Sequence, residues 1–177
     1  MEPVAVAAAE EFEAIVLAYR PRIFRFALAS LRDRDAAETV TQDCLLKAYS
    51  ARGQFRGDSS ILTWLMRIAV NLVNDAARTR QFQFWRRSAV GLDSASNWIT
   101  DCGSSPEERA LAKQQVEAIW NVYGSLPERQ RTVFLLHFME DMDAREIEVA
   151  TGISKAAIKV HLFRAIRAVR EKLKERK

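Results

Sequence analysis

The stretch from Phe55 to Arg80, FRGDSSILTWLMRIAVNLVNDAARTR, constrains the fold more than any other part of the chain. It opens with a glycine-flanked loop, Gly53 to Asp58, and then predicts a helix. Ile61, Leu62, Trp64, Leu65, Ile68, Ala69, Leu72, Val73 and Ala76 recur at helical spacing and make one broad apolar face, which has to be buried against other elements. Opposite them, Arg67, Asn71, Asn74 and Arg78 form a polar stripe at steps of four, three and four. By periodicity alone this stripe reads as a solvated face. Two asparagines in mid-helix lower helix propensity, however, which points to another use. Asn and Arg side chains carry donors and acceptors that can read base edges.

The rest of the chain supplies the partners for that apolar face. From Glu10 to Leu31, Phe12, Ile15, Val16, Tyr19, Ile23, Phe24, Phe26, Ala27 and Leu31 predict a helix, with Pro21 expected to kink or divide it. Residues 1–9 read as a loose Ala/Val tail. Asp33 to Asp35 reads as a turn and N-cap. Ala36 to Ala51 then predicts a helix with Val40, Cys44, Leu45, Ala48 and Tyr49 inward and Glu38, Thr41, Gln42, Asp43 and Lys47 outward.

Beyond Arg80 the pattern decays into a Ser-, Gly- and Asp-rich segment in which Trp85 and Trp98 stand out. Periodicity resumes at Ser105-Pro106-Glu107-Glu108, a helix start with proline in the first turn and acids at the positive end of the dipole. That helix is expected to reach Tyr123, and a further one to run from Leu126-Pro127-Glu128 to Met139.

No period-two alternation and no internal repeat occur, so the expected class is all-α. Two small helical domains should be joined by a flexible linker: a tail 1–9, a first domain 10–82, a linker 83–105 and a second domain 106–177.

Forty-nine per cent hydrophobic residues in 177 suffice for a core, and a net charge of +4 permits a polyanionic partner without establishing one. Cys44 and Cys102 have neither metal-ligand spacing nor a CxxC pairing, so no metal and no cofactor are expected. Cys44 reads as a small buried residue. No apolar run is long enough to span a bilayer, and the expectation is a soluble, cytoplasmic protein without membrane insertion.

The C-terminal part carries a second signal. Asp143 and Glu146 make a capping box for a short helix, Thr151-Gly152-Ile153-Ser154 a tight turn, and Lys155 to Glu175 a long helix. This is the plan of a helix-turn-helix. In the last helix Ile158, Leu162, Ala165, Ile166, Val169 and Leu173 share an inward face, while Lys155, Lys159, Phe163, Arg164, Arg167 and Arg170 lie opposite. The helix dipole accounts for the basic residues from Arg170 onward but disfavours Lys155 and Lys159 at the helix start, where phosphates in a major groove would favour them. A plain packing motif is the competing explanation.

Taken in order, DAAETVTQDCLLKAY, FRGDSSILTWLMRIAVN and SLPERQRTVFLLHFMEDMDAREIEVATGISKAAIKVHLFRAIRAVR resemble the sigma-70 superfamily, and the two-domain brevity resembles its extracytoplasmic-function (ECF) sigma factors. The resemblance covers nearly the whole chain. It implies a non-enzymatic promoter-specificity subunit that binds core RNA polymerase at its clamp and flap, docks on a duplex −35 element and captures the melted −10 strand. An anti-sigma partner is expected on the same ground, and could hold the protein near the membrane.

The resemblance assigns core-polymerase contacts to Glu38, Gln42 and Asp43. It assigns −10 contacts to Phe55, Arg56, Asp58, Arg67, Asn71, Asn74, Arg78 and Arg80, with a flipped base held by the loop and Asn71; Trp64 is expected in the core. The −35 contacts fall on Lys155, Ala156, Lys159, Val160, His161, Phe163, Arg164 and Arg167. Two departures matter: Val160-His161 stands where relatives commonly carry Ser-Arg, and Glu148 replaces a usual small residue.

No nucleophile-base-acid set or phosphate loop occurs, and His137 and His161 are isolated. Two other readings stay open. One is a polymerase-independent helix-turn-helix regulator, which would not need the FRGDSS loop and its polar stripe. The other is a protein–protein adaptor using the same helices as docking surfaces.

Overall fold

The computed structural model describes the backbone of residues 3–86 and 122–174, and side chains from 12 to 79 and from 122 to 171. Every regular element among them is helical: α1 (Pro3–Leu31), α2 (Arg34–Ala51), a 3-10 turn (Arg52–Gln54), α3 (Ile61–Arg86), α4 (Glu128–Phe138), α5 (Ala144–Thr151) and α6 (Lys155–Lys174).

Helix α1 is longer and less broken than the sequence predicts. It begins at Pro3, so the residues read as a tail enter the helix, and it passes through Pro21 without ending. Proline removes one backbone donor and leaves the carbonyl four residues earlier without its partner. That carbonyl belongs to Leu17, and both Leu17 and Pro21 are exposed, so water can take the place of the missing bond.

Helix α2 starts where expected: the Asp33 carboxylate accepts the Ala36 amide at 2.8 Å. Its inward residues Val40, Cys44, Leu45 and Ala48 are buried. Thr41, expected outside, is also buried and donates its hydroxyl to the Ala37 carbonyl at 2.7 Å. Tyr49, expected inside, is exposed at the end of the helix. Its ring meets Phe12 edge-on at 5.1 Å and lies 3.9 Å from the Arg52 guanidinium. Burial pushes the Cys44 thiol up to about 12, which makes it inert packing. Cys102 lies outside the described residues.

Ser60 caps α3 through the Thr63 amide at 3.1 Å. The helix runs on to Arg86, past the start of the expected linker; the remainder of that linker and most of the expected 105–123 helix lie outside the described residues. The apolar face of α3 closes the first bundle, with Leu65, Met66 and Ala69 fully buried beside Ile23, Phe26 and Ala37. Each large side chain buried in this way contributes about 1.5–3 kcal/mol.

The C-terminal helices form a second bundle around Val133, Leu135, Leu136, Ile147, Ile158 and Ala165. The two bundles meet along α3 and α5, and their buried residues make one continuous core. Polar contacts among the described residues cross this seam, at Glu140 and at Glu146, which also accepts from Ser60 Oγ at 3.4 Å. Arg22 donates Nε to Glu140 Oε2 at 2.6 Å and Nη2 to the Glu140 carbonyl at 2.8 Å. Thr63, itself fully buried, donates to Glu146 Oε1 at 3.2 Å.

Candidate nucleic-acid interfaces

The first candidate surface is built on α3. Arg67, Asn71, Asn74 and Arg78 fall within about 60° of arc over roughly 16 Å of helix. Arg67, Asn71 and Arg78 are exposed and Asn74 is half-buried. Arg78 sits 3.9 Å from Asp75, and the other three have no hydrogen bond or ion pair among the described residues. Among the described residues, α3 therefore presents two amides and a guanidinium without partners on a helix whose opposite face is core. Arg80 lies on the same helix, with its side chain outside the described residues.

The loop before α3 is set by local geometry. Gly57 has φ +75, a left-handed conformation that a side chain would strain. Arg56 and Asp58 are exposed. Phe55 is half-buried with its ring 5.2 Å from that of Trp64, so it anchors the loop to α3. Trp64 is half-buried against the core, close to its expected role. Among the described residues no hydrogen bond joins the loop to Asn71; the structure places them on one helix and its lead-in without bringing them into contact.

The second surface is the helix-turn-helix. Asp143 accepts the Arg145 amide at 2.7 Å and the Glu146 amide at 2.8 Å, and Glu146 returns the bond to the Asp143 amide at 3.0 Å. These bonds hold the Asp143 carboxyl below the usual aspartate range. Gly152 turns the chain at φ +73. Helix α6 then exposes Lys155, Ala156, Lys159, Val160, Phe163, Arg164 and Arg167 together.

Glu148 proves to be a positioning residue. Its carboxylate accepts the Lys155 amide at 3.1 Å and lies 3.8 Å from Lys155 Nζ. A carboxylate at the positive end of α6 offsets the cation placed there. Lys159 has no such partner among the described residues, whereas Arg167 is held by Glu171 at 2.7 Å.

His161 differs from its neighbours: it is half-buried, its Nδ1 is enclosed and unpartnered, and burial together with Arg164 and Arg129 lowers its pKa. Of the residues expected on the −35 face, it is the one the structure turns away from that face. His137 is structural, with Nδ1 3.0 Å from the Met142 carbonyl.

The expected polymerase face on α2 is mixed. Gln42 and Asp43 are exposed, while Glu38 is already paired with Arg20. Leu46, 65% exposed one turn further along, belongs to the same face and was not singled out by the sequence reading. An apolar residue between Asp43 and Lys47 was the available signal.

Among the described residues no group of His, Cys, Asp or Glu could hold a metal ion, and no helix is long and apolar enough to cross a membrane.

Comparison with known proteins matches residues 15–83 to sigma-70 region 2 and residues 117–169 to sigma-70 region 4. The chain is 32% identical to the RNA polymerase sigma-H factor of Pseudomonas aeruginosa, over 89% of this chain and 83% of that one. It is 26% identical to the ECF RNA polymerase sigma factor SigW of Bacillus subtilis, over 94% and 90%. It is also 31% identical to the probable RNA polymerase sigma factor RfaY of Xanthomonas campestris over 92% of this chain, and there it spans 40% of the relative's length.

A solved complex of the sigma factor RpoE with the anti-sigma factor NepR from Bartonella quintana shares the fold, with a TM-score of 0.78 and 22% identity over 93% of this chain and 98% of that one. With two region matches in order and a relative covered over most of its length, the chain belongs to the sigma-70 superfamily of RNA polymerase sigma factors, of the extracytoplasmic-function type.

Proposed function

We propose that this chain works as a promoter-specificity subunit of RNA polymerase through two separate DNA-binding surfaces, and that it has no enzymatic activity of its own. The observation carrying this reading is the uncommitted amide stripe on α3 in a chain that also presents a helix-turn-helix. A regulator that binds duplex DNA alone has no use for an exposed Asn71 with a half-buried Asn74 beside it.

In this mechanism Gln42 and Asp43, with Leu46 beside them, dock on core polymerase. Lys155, Lys159, Arg164 and Arg167 hold the duplex −35 element. Arg56, Arg67, Asn71, Asn74 and Arg78 take the melted −10 strand, with Asn71 offering its amide to an extruded base. Extrusion costs a few kcal/mol of unstacking, which edge hydrogen bonds and stacking must offset. The likeness to the RpoE–NepR complex supports an anti-sigma factor as a protein partner, and the site of action would be the cytoplasm.

The seam between the bundles gives the mechanism an opening step. Elements roughly 25 base pairs apart are separated by about 85 Å of B-form DNA, at about 3.4 Å per pair. A compact chain of this length has a radius of gyration of about 16 Å. The contacts of Arg22 with Glu140 and of Thr63 with Glu146 therefore have to break when both elements are held.

Permanganate footprinting of promoter DNA mixed with core polymerase and this chain tests the reading. Thymines in the −10 region should become reactive only when both proteins are present. Tight duplex binding with no dependence on polymerase would overturn it in favour of the free-standing regulator.

A further inference from the structure

The exposed face of α6 is not uniformly basic. At 100° per residue over its N-terminal turns, from Lys155 to Arg164, Phe163 and Ala156 lie at its centre with Val160 beside them, while Lys155 and Lys159 form one flank and Arg164 the other; Arg167 and Arg170 enter the same arc only further toward the C-terminus. The two large central residues are well exposed, Val160 at 45% and Phe163 at 66%. Neither packs on the core in this structure. An apolar line between two cationic rims has a specific complement. When a helix lies in the major groove, its flanks meet the two phosphate walls and its centre meets the base edges. Of the groups that bases present there, the thymine C5-methyl is the large apolar one.

We infer that Val160 and Phe163 read thymine methyl groups in the duplex element. On this inference the chain selects T·A pairs at the positions beneath them by apolar contact, not by guanidinium–guanine hydrogen bonding. The inference rests on the proposed duplex role of α6 and deepens it by naming the feature that is read. Val160 carries most of the distinction, since β-branching fixes its side chain in a helix, and a methyl-bearing surface is then held ready at no rotamer cost. Arg164 and the lysines remain on the phosphates, so they set affinity without setting sequence.

The test uses the full chain with core polymerase. Duplexes are first selected from a randomised −35 pool; thymines in the selected element are then replaced one at a time by deoxyuridine, which removes the methyl and leaves pairing intact. One or two positions should each lose about fourfold in affinity, the worth of one buried methyl-sized group. Val160→Ser and Phe163→Ser should bind thymine and uracil duplexes equally. Lys159→Gln should weaken both and preserve the ratio.

Equal binding of thymine and uracil duplexes by the unaltered chain would overturn the methyl reading while leaving sequence-selective duplex binding intact. Failure to enrich any sequence in the pool would overturn the duplex role of α6 and this inference with it. Because the decisive change is made in the DNA, no folding defect of a variant can imitate either result.

Discussion

The polar faces of α3 and α6 look alike on a helical wheel and differ in what they offer. The α3 face carries amides and guanidinia along its centre, with no apolar residue among Arg67, Asn71, Asn74 and Arg78. Over its N-terminal turns the α6 face carries Lys155, Lys159 and Arg164 at the edges and Ala156, Val160 and Phe163 between them, with Arg167 joining the arc further along. Amides suit the Watson–Crick edges of bases that have left the duplex, where both donors and acceptors are open. Rim cations with an apolar centre suit an intact groove, whose walls are phosphates. On the proposed function, the contrast separates one surface for single strands from one for duplex, on a chain whose net charge of +4 distinguishes neither.

That contrast is drawn for surfaces carried by one packed body, and the largest expected effect tests the packing. Glu140 is fully buried, one of its oxygens has no partner, and the other is held by Arg22, whose side chain is 31% exposed. Arg22→Ala would strand a buried carboxylate. The cost should be about 2–3 kcal/mol in urea unfolding, below the usual figure for a wholly buried pair because Arg22 is partly solvated. Glu140→Gln should lose much less, since it leaves no charge behind. Equal losses in the two variants would mean that the charge of Glu140 is not what Arg22 satisfies at the seam.

Asn71→Ala sharpens the comparison from the α3 side. Loss of a two-bond amide contact is worth about 1.4 kcal/mol, or roughly tenfold, in open-complex formation. Binding to the closed duplex should stay unchanged. A matching loss on closed duplex would merge the two surfaces into one.

Lys159→Ala is the complementary change and a smaller one. One phosphate contact removed should weaken duplex binding severalfold and reduce the slope of log K against log salt by about one. The yield of strand opening at saturating protein should not move. A variant with an unaltered salt slope would show that Lys159 does not reach a phosphate.

Much of this was legible before any coordinates. The helices, the Asp143–Glu146 capping box, the left-handed Gly152 and the stripe from Arg67 to Arg78 follow from local rules of spacing and capping that need only near neighbours. What was not legible depends on distant partners. Arg22 and Glu140 are 118 residues apart, and no local pattern pairs them. Glu148 was visible as a departure, but its capping of Lys155 needs the turn geometry that brings them together. His161 sits among exposed residues in sequence and turns inward because its position on the wheel falls toward the bundle. Tyr49 was placed inside by apolar character and stays outside because it falls at the edge of the buried arc of α2, where its ring meets Phe12 and Arg52.

The smallest expected effect returns to the seam and concerns pH. Burial pushes the Glu140 carboxyl above its ordinary value of 4.5, outweighing the opposing hydrogen bond and charge of Arg22. A carboxyl with a raised value binds its proton more tightly when folded than when unfolded. Its contribution to stability is then fully present below about pH 4.5 and is lost as pH rises through the folded value. The melting temperature of the unaltered chain should therefore fall relative to that of Glu140→Gln as pH rises through this window, by a few degrees at most. Asp143, at the N-cap of α5, has the opposite sign: its lowered value adds stability above the ordinary aspartate range and loses it as pH falls. The variant at Glu140 leaves that second dependence in place, so the difference between the two melting curves isolates the seam. A difference of the opposite sign would mean that Arg22 dominates Glu140, and that the two bundles are held together by an ion pair fully charged at neutral pH.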